Sequence, residues 1–159
     1  MASLSDIRAA LAANLAVLRT SETVAHVSAY MLDAPQTPVV QIAGVAPDGM
    51  DLDVAFGDEV KWTLVVEAII GAISDIGAQK VLNALLEPTG ATSLVEAIEA
   101  NQTLTQRLSE TTGRVTTGQT ALAQWVHVRR YRGQARYTPP NGAGRELLVA
   151  SWEVEVLSA

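Results

Sequence analysis

Val60-Lys61-Trp62-Thr63-Leu64-Val65-Val66-Glu67-Ala68-Ile69-Ile70 alternates: Val60, Trp62, Leu64, Val66, Ala68 and Ile70 share one side, and Lys61, Thr63 and Glu67 mark the other. That is the period of a half-buried strand. After Gly71-Ala72-Ile73 the period changes. Ile76, Ala78, Val81, Leu82, Leu85 and Leu86 recur at three and four, with Ser74 or Asp75 placed to cap and Pro88 to stop, which predicts a helix. A strand feeding a helix, each with one apolar face, buries those faces on one another, so the sheet and its covering layer meet here.

Upstream, Leu4, Ile7, Leu11, Leu15 and Leu18 recur at helical spacing among alanines, and Ser3 with Asp6 resembles a capping box with the shorter acid. A first helix is expected from about Ser5 to Val17. Val24 to Met31 reads as a strand, and Val39-Val40-Gln41-Ile42 as a second, short one that Pro38 confines to an edge or a strand start. Ala46-Pro47-Asp48-Gly49 reads as a turn. Leu52, Val54 and Phe56 then alternate with Asp51, Asp53 and Ala55, and Gly57-Asp58 gives a hairpin signal into the central strand.

Downstream, Ser93 and Glu96 form a capping box for a short third helix carrying Leu94, Val95 and Ile98 and ending near Asn101. Residues 101 to 121 are threonine-rich, with Leu104, Leu108 and Val115 as anchors. They predict a helical fragment, a loop and a short strand around Arg114 to Thr117. Leu122 to Tyr131 and Leu148 to Val156 read as strands joined through the loop Pro139-Pro140-Asn141-Gly142-Ala143-Gly144. The order is helix, three to four strands, two helices and a two-strand hairpin. It predicts an α+β fold with a mainly antiparallel sheet covered on one face by helices. No repeat or linker divides the chain, so residues 1 to 159 are expected to form a single domain.

A chain of 159 residues buries a sizeable core without staples, and there are no cysteines to supply disulfides, thiolate nucleophiles or metal-binding thiolates. No secretory leader or membrane-spanning run is apparent, which predicts a soluble protein. Charge is uneven. Residues 1 to 106 hold four basic against thirteen acidic side chains, net −9, and residues 107 to 159 hold seven against four, net +3. The acidic balance disfavours sequence-specific DNA binding. The polarity suits subunits that join through complementary ends, and a chance split is the plainer alternative.

Catalytic chemistry is sparse. His26 and His127 both fall in predicted strands, with no Ser or Cys motif beside them, and no phosphate or dinucleotide loop is present, so no enzyme and no cofactor is expected. The acidic cluster Asp48, Asp51, Asp53, Asp58 and Glu59 lacks the spacing of a calcium loop, and a solvated hairpin explains it. Arg129-Arg130-Tyr131-Arg132, with Arg136 and Tyr137, interleaves arginine with aromatics as single-strand nucleic-acid sites and protein interfaces both do, and the acidity of the remainder favours protein. Alternation predicts Arg130 and Arg132 on one face of the strand and Arg129 and Tyr131 on the other. Val65 and Ile69, beside Thr63 and Glu67, place apolar groups on the supposedly wet side of the central strand. That implies a second buried contact, from this chain or from a neighbouring subunit.

Ser74-Asp75-Ile76-Gly77-Ala78-Gln79-Lys80, then Leu85-Leu86-Glu87-Pro88-Thr89-Gly90, then Ser93-Leu94-Val95-Glu96-Ala97-Ile98-Glu99 and Thr103-Leu104, resembles the corresponding run in tail terminator proteins of long-tailed, non-contractile phages of actinobacterial hosts. The opening Met1-Ala2-Ser3-Leu4-Ser5-Asp6-Ile7-Arg8 and the closing Trp152-Glu153-Val154-Glu155-Val156-Leu157 are similar to that family's ends. The resemblance implies a structural protein of the virion neck, assembled in the host cytoplasm into a hexameric ring. Such a ring caps the tail tube, ends its polymerisation and joins the head connector, with DNA passing through unbound. The implied partners are further copies of the chain, the tail tube protein and the head-completion or connector protein.

On that reading Thr63, Val65, Glu67 and Ile69 make the subunit contact. Arg129, Arg130, Arg132 and Arg136 meet the tail or connector, and Asp48, Asp51, Asp53, Asp58 and Glu59 line the channel or ring loop. Charge reversal at Arg130 and Arg132 is expected to block tail joining without unfolding the monomer. A head-completion or stopper protein of the neck, and a small ligand-binding domain, are the alternative readings.

Overall fold

The alanine-rich N-terminal segment forms α1 (Leu4–Thr20). Its cap is reciprocal: the Ser3 hydroxyl accepts the Asp6 amide at 3.1 Å and donates to the Asp6 carboxylate at 2.7 Å. The computed structural model describes residues 2–33, 36–52, 59–118, 120–138 and 146–159.

The strand expected over Val24 to Met31 shrinks to β1 (His26–Ser28), which runs parallel to the next strand with His26 opposite Val39. The ladder stops because its next groups are diverted. Arg8 Nε donates to the Ala29 carbonyl at 2.8 Å, and the Tyr30 amide turns back onto the Ser28 hydroxyl at 3.2 Å.

The short strand expected over Val39 to Ile42 runs on through the turn expected at Ala46–Gly49 as β2 (Val39–Asp51), antiparallel to β3 (Lys61–Ala72). Val45 pairs with Leu64 and Met50 with Trp62, so residues 46–49 are looped out as a bulge and the strand resumes on its old line. Asp48 takes the left-handed conformation there, at φ 57°. Gly49 is required by space, since a Cβ would stand 2.6 Å from the Thr63 carbonyl oxygen. The alternating run from 52 and the Gly57-Asp58 signal lie mostly outside the described residues, although β2 and β3 do pair as a hairpin requires.

Asp75 rather than Ser74 caps α2 (Ile76–Leu86), accepting the Gly77 amide at 2.9 Å. The buried stripe is only Ala78, Leu82 and Leu85. Ile76 and Leu86, expected on the core side, are exposed, because α2 touches the end of β3 along one residue per turn. Ser93 caps α3 (Leu94–Glu99) through the Glu96 amide at 3.1 Å.

Among the described residues no helical fragment follows. β4 (Arg107–Leu108) and β5 (Val115–Thr116) form a minimal antiparallel pair, with Leu104 and Leu108 buried and Val115 exposed. The last strands, β6 (Ala123–Tyr137) and β7 (Leu147–Ser158), are longer than expected. The Pro139–Gly144 loop lies outside the described residues.

The large sheet has the order β1-β2-β3-β7-β6, antiparallel except at β1. The fold is therefore α+β, with β3 and β7 at the centre of the sheet. One core unites Ile7, Leu11, Leu15 and Leu18 of α1, Leu82 and Leu85 of α2, and Leu94 and Ile98 of α3 with alternate residues of the strands: Val40, Ile42, Leu64, Val66, Ala68, Val126, Ala150, Trp152, Val154 and Val156. Each such fully buried large aliphatic contributes about 1.5–3 kcal/mol of burial free energy. The sheet residues between them form the opposite face.

Candidate interaction face

On that opposite face, the register sets Thr63 against Glu155, Val65 against Glu153, Glu67 against Ser151 and Ile69 against Val149. The four predicted contact residues of β3 thus form one row beside β7. Ile69 and Thr63 are already buried within the single chain, while Val65 and Glu67 are half-buried. Glu67 accepts from Gln41 Nε2 at 3.0 Å, and Gln41 in turn accepts the Leu32 amide at 3.2 Å, so the segment after β1 is tied over this face.

The arginines of β6 lie differently from the alternation rule. The pairing slips between Val128 and Arg130 and again between Tyr131 and Gly133, and each bulge inserts a residue and resets which side the next one faces. In consequence Arg129, Arg130 and Arg132 all reach glutamates of β7 on the outer face, and Tyr131 pairs instead with Trp152 at a ring-centroid distance of 5.3 Å. Arg130 grips Glu153 with two hydrogen bonds of 2.9 Å, and Arg132 approaches the same carboxylate at 3.7 Å. Glu155 gathers His127 at 3.3 Å, Arg129 at 3.5 Å and Lys61 at 3.7 Å. Arg136, farther along, pairs with Glu146 at 3.2 Å.

The glutamate side chains are only 9% and 11% exposed beneath arginines that are 39–62% exposed, so the surface presented outward is guanidinium. Charge reversal at Arg130 is therefore not the neutral probe expected from sequence: it would set a second carboxylate against the buried Glu153. Arg136 and Glu146 are both exposed, and a change there disturbs the fold least.

The Arg130 hydrogen bonds hold the Glu153 carboxyl below its ordinary value, and Glu153 raises Arg130 in return. Asp6 is also lowered, chiefly by the Ser3 hydroxyl and further by Arg107, with which it makes an ion pair. A carboxylate depressed on folding stabilises the native state above its unfolded pKa and loses that contribution as pH falls through its folded one. Thermal unfolding midpoints should accordingly hold at neutral pH and drop from about pH 5 downward. Glu153→Gln should show a shallower acid slope than the native chain, and an unchanged slope would remove Glu153 from the acid response.

The acidic loop sits at the other end of the sheet. Asp48 lies in the β2 bulge and Asp51 pairs with Lys61 across the β2–β3 ladder. Glu59 accepts from Gln124 at 2.5 Å, and Asp53 and Asp58 lie outside the described residues. Among the described residues no three His, Asp or Glu side chains gather as metal ligands, and no helix is long and apolar enough to cross a membrane. Sequence reasoning missed Gln41 and the pair Glu153 and Glu155, although the Glu-x-Glu alternation of the closing strand, aligned with the arginine run in one hairpin, carries that signal. Comparison with protein-family models gives no match, and comparison with curated proteins gives none.

Proposed function

We propose that this chain is a ring-forming tail terminator of a long-tailed, non-contractile phage, one that caps the completed tail tube, ends its polymerisation and joins the tail to the head connector. The observation that carries the reading is the resemblance of residues 74–104, which here form Asp75-capped α2, the turn through Pro88 and Ser93-capped α3. The sheet adds support, because a ring subunit needs a second face to give to its neighbours. Behind the core, this sheet has a second face on which the half-buried Val65 and Glu67 lie amid a polarised field of charge. The ring is a hexamer located at the neck, its subunit contact is the face around Thr63, Val65, Glu67 and Ile69, and the arginine arm binds a complementary acidic surface.

Electron microscopy of particles made by the parent phage without this chain tests the reading. Overlong, headless tubes are expected. Tails of normal length detached from filled heads would move the chain to the stopper step, and complete infectious particles would remove the reading.

A further inference from the structure

A pocket of about 280 Å³ opens on the outer face, lined by Met31, Leu32, Ile69, Tyr137 and Val149, with Arg136 at its rim and the Gln41–Glu67 hydrogen bond among its walls. Its lining is mainly apolar, yet among the described residues no side chain fills it. At the opposite end of the same sheet, Met50 and Leu52 are 50% and 63% exposed, flanked by Asp48 and Asp51. A two-residue apolar projection with carboxylates beside it and an apolar pocket with guanidinium beside it are complementary in both shape class and charge. They cannot meet within one chain. Met50 pairs with Trp62 and the pocket begins at Glu67, a separation of roughly 17 Å along β3 at the usual rise per strand residue.

We infer that one copy seats Met50 and Leu52 in the outer-face pocket of the next, with its Asp48 carboxylate against Arg136. The inference rests on the ring reading and supplies its joint. Because the two patches differ, every copy that donates a tip keeps an open pocket, and the contact is head to tail, which closes only as a ring or runs on as a filament. The acidic surface that meets the arginine arm is then the neighbouring copy itself.

The absence of cysteine makes the test clean. Leu52→Cys with Met31→Cys on one chain should give, on mild oxidation, a ladder of covalent multimers, both in the purified chain and in tails isolated from phage carrying it. An internal bridge is excluded because a disulfide requires Cα atoms within about 7 Å. Mixing the two single variants should give dimers only, and each single variant alone should stay monomeric on a non-reducing gel. Dimers from Leu52→Cys alone would replace the head-to-tail contact with a symmetric one, and no ladder in either sample would overturn it. Capped tubes without a ladder would remove this joint and leave the function standing. A ladder with uncapped tubes would do the reverse.

Discussion

Trp152→Ala is expected to destabilise the fold by about 3–5 kcal/mol, the range for emptying a large aromatic site in a packed core. Trp152 lies mid-way along β7, opposite Val66 of β3 on one side and Tyr131 of β6 on the other, and is 1% exposed. Its loss opens a void where the two central strands and the covering helices meet. Against a total stability of about 5–15 kcal/mol for an ordinary domain, the urea midpoint should fall steeply or folding should fail. Trp152→Phe keeps a ring against Tyr131 and should lose less. A second readout is spectroscopic. Burial pushes the Tyr131 phenol up, so opening the site should bring its titration, followed by phenolate absorbance, back toward the ordinary range in any folded fraction. An alanine variant that unfolds at the native urea concentration would mean that the strand centre is not the packed layer described.

The second large effect is at Leu104, and its sign against glycine is unusual. This side chain is fully buried, and its backbone holds a left-handed φ of 55°, which a branched hydrophobe adopts only where packing over-determines it. It anchors the segment between α3 and β6. Its amide donates to the Asn101 carbonyl at 3.3 Å, and the Leu122 amide donates to its carbonyl at 3.4 Å. Leu104→Ala should cost about 2–5 kcal/mol, since the methyl groups go and the backbone penalty stays. Leu104→Gly removes slightly more side chain but relaxes φ, so it should be no less stable than the alanine variant, the reverse of the order seen in ordinary helix or strand interiors. Parallel urea titrations of the two variants decide this, and glycine falling below alanine by a full kcal/mol would contradict it.

What the sequence made legible were the features set by short-range chemistry. Ser3, Asp75 and Ser93 cap their helices as their spacing predicts, and β3 keeps the alternation of Leu64, Val66, Ala68 and Ile70 on the core side, because one polar acceptor or one pleat suffices to fix each. The misreadings came where a distant group intervened. β1 is cut short by a guanidinium on α1, and the turn expected at Ala46–Gly49 is absorbed as a bulge because β3 supplies ladder partners on both sides of it. The candidate site was half legible. The row from Thr63 to Ile69 follows from alternation, but the common destination of Arg129, Arg130 and Arg132 depends on two bulges that no period reveals. Ile76 looked like core as part of an apolar run, yet at about 100° per residue it lies across the helix from the buried Ala78, Leu82 and Leu85.

The bulged strand β6 has one further consequence. It is an outer strand of the sheet. Near its start, the Val128 amide is occupied by Glu99 at 3.2 Å, and beyond that point Arg129 to Arg132 stand exposed along the border. Two copies meeting border to border would oppose one set of guanidinium groups to another, while their compensating carboxylates stay sunk in their own sheets. Uncontrolled stacking into ribbons through that border is thereby disfavoured.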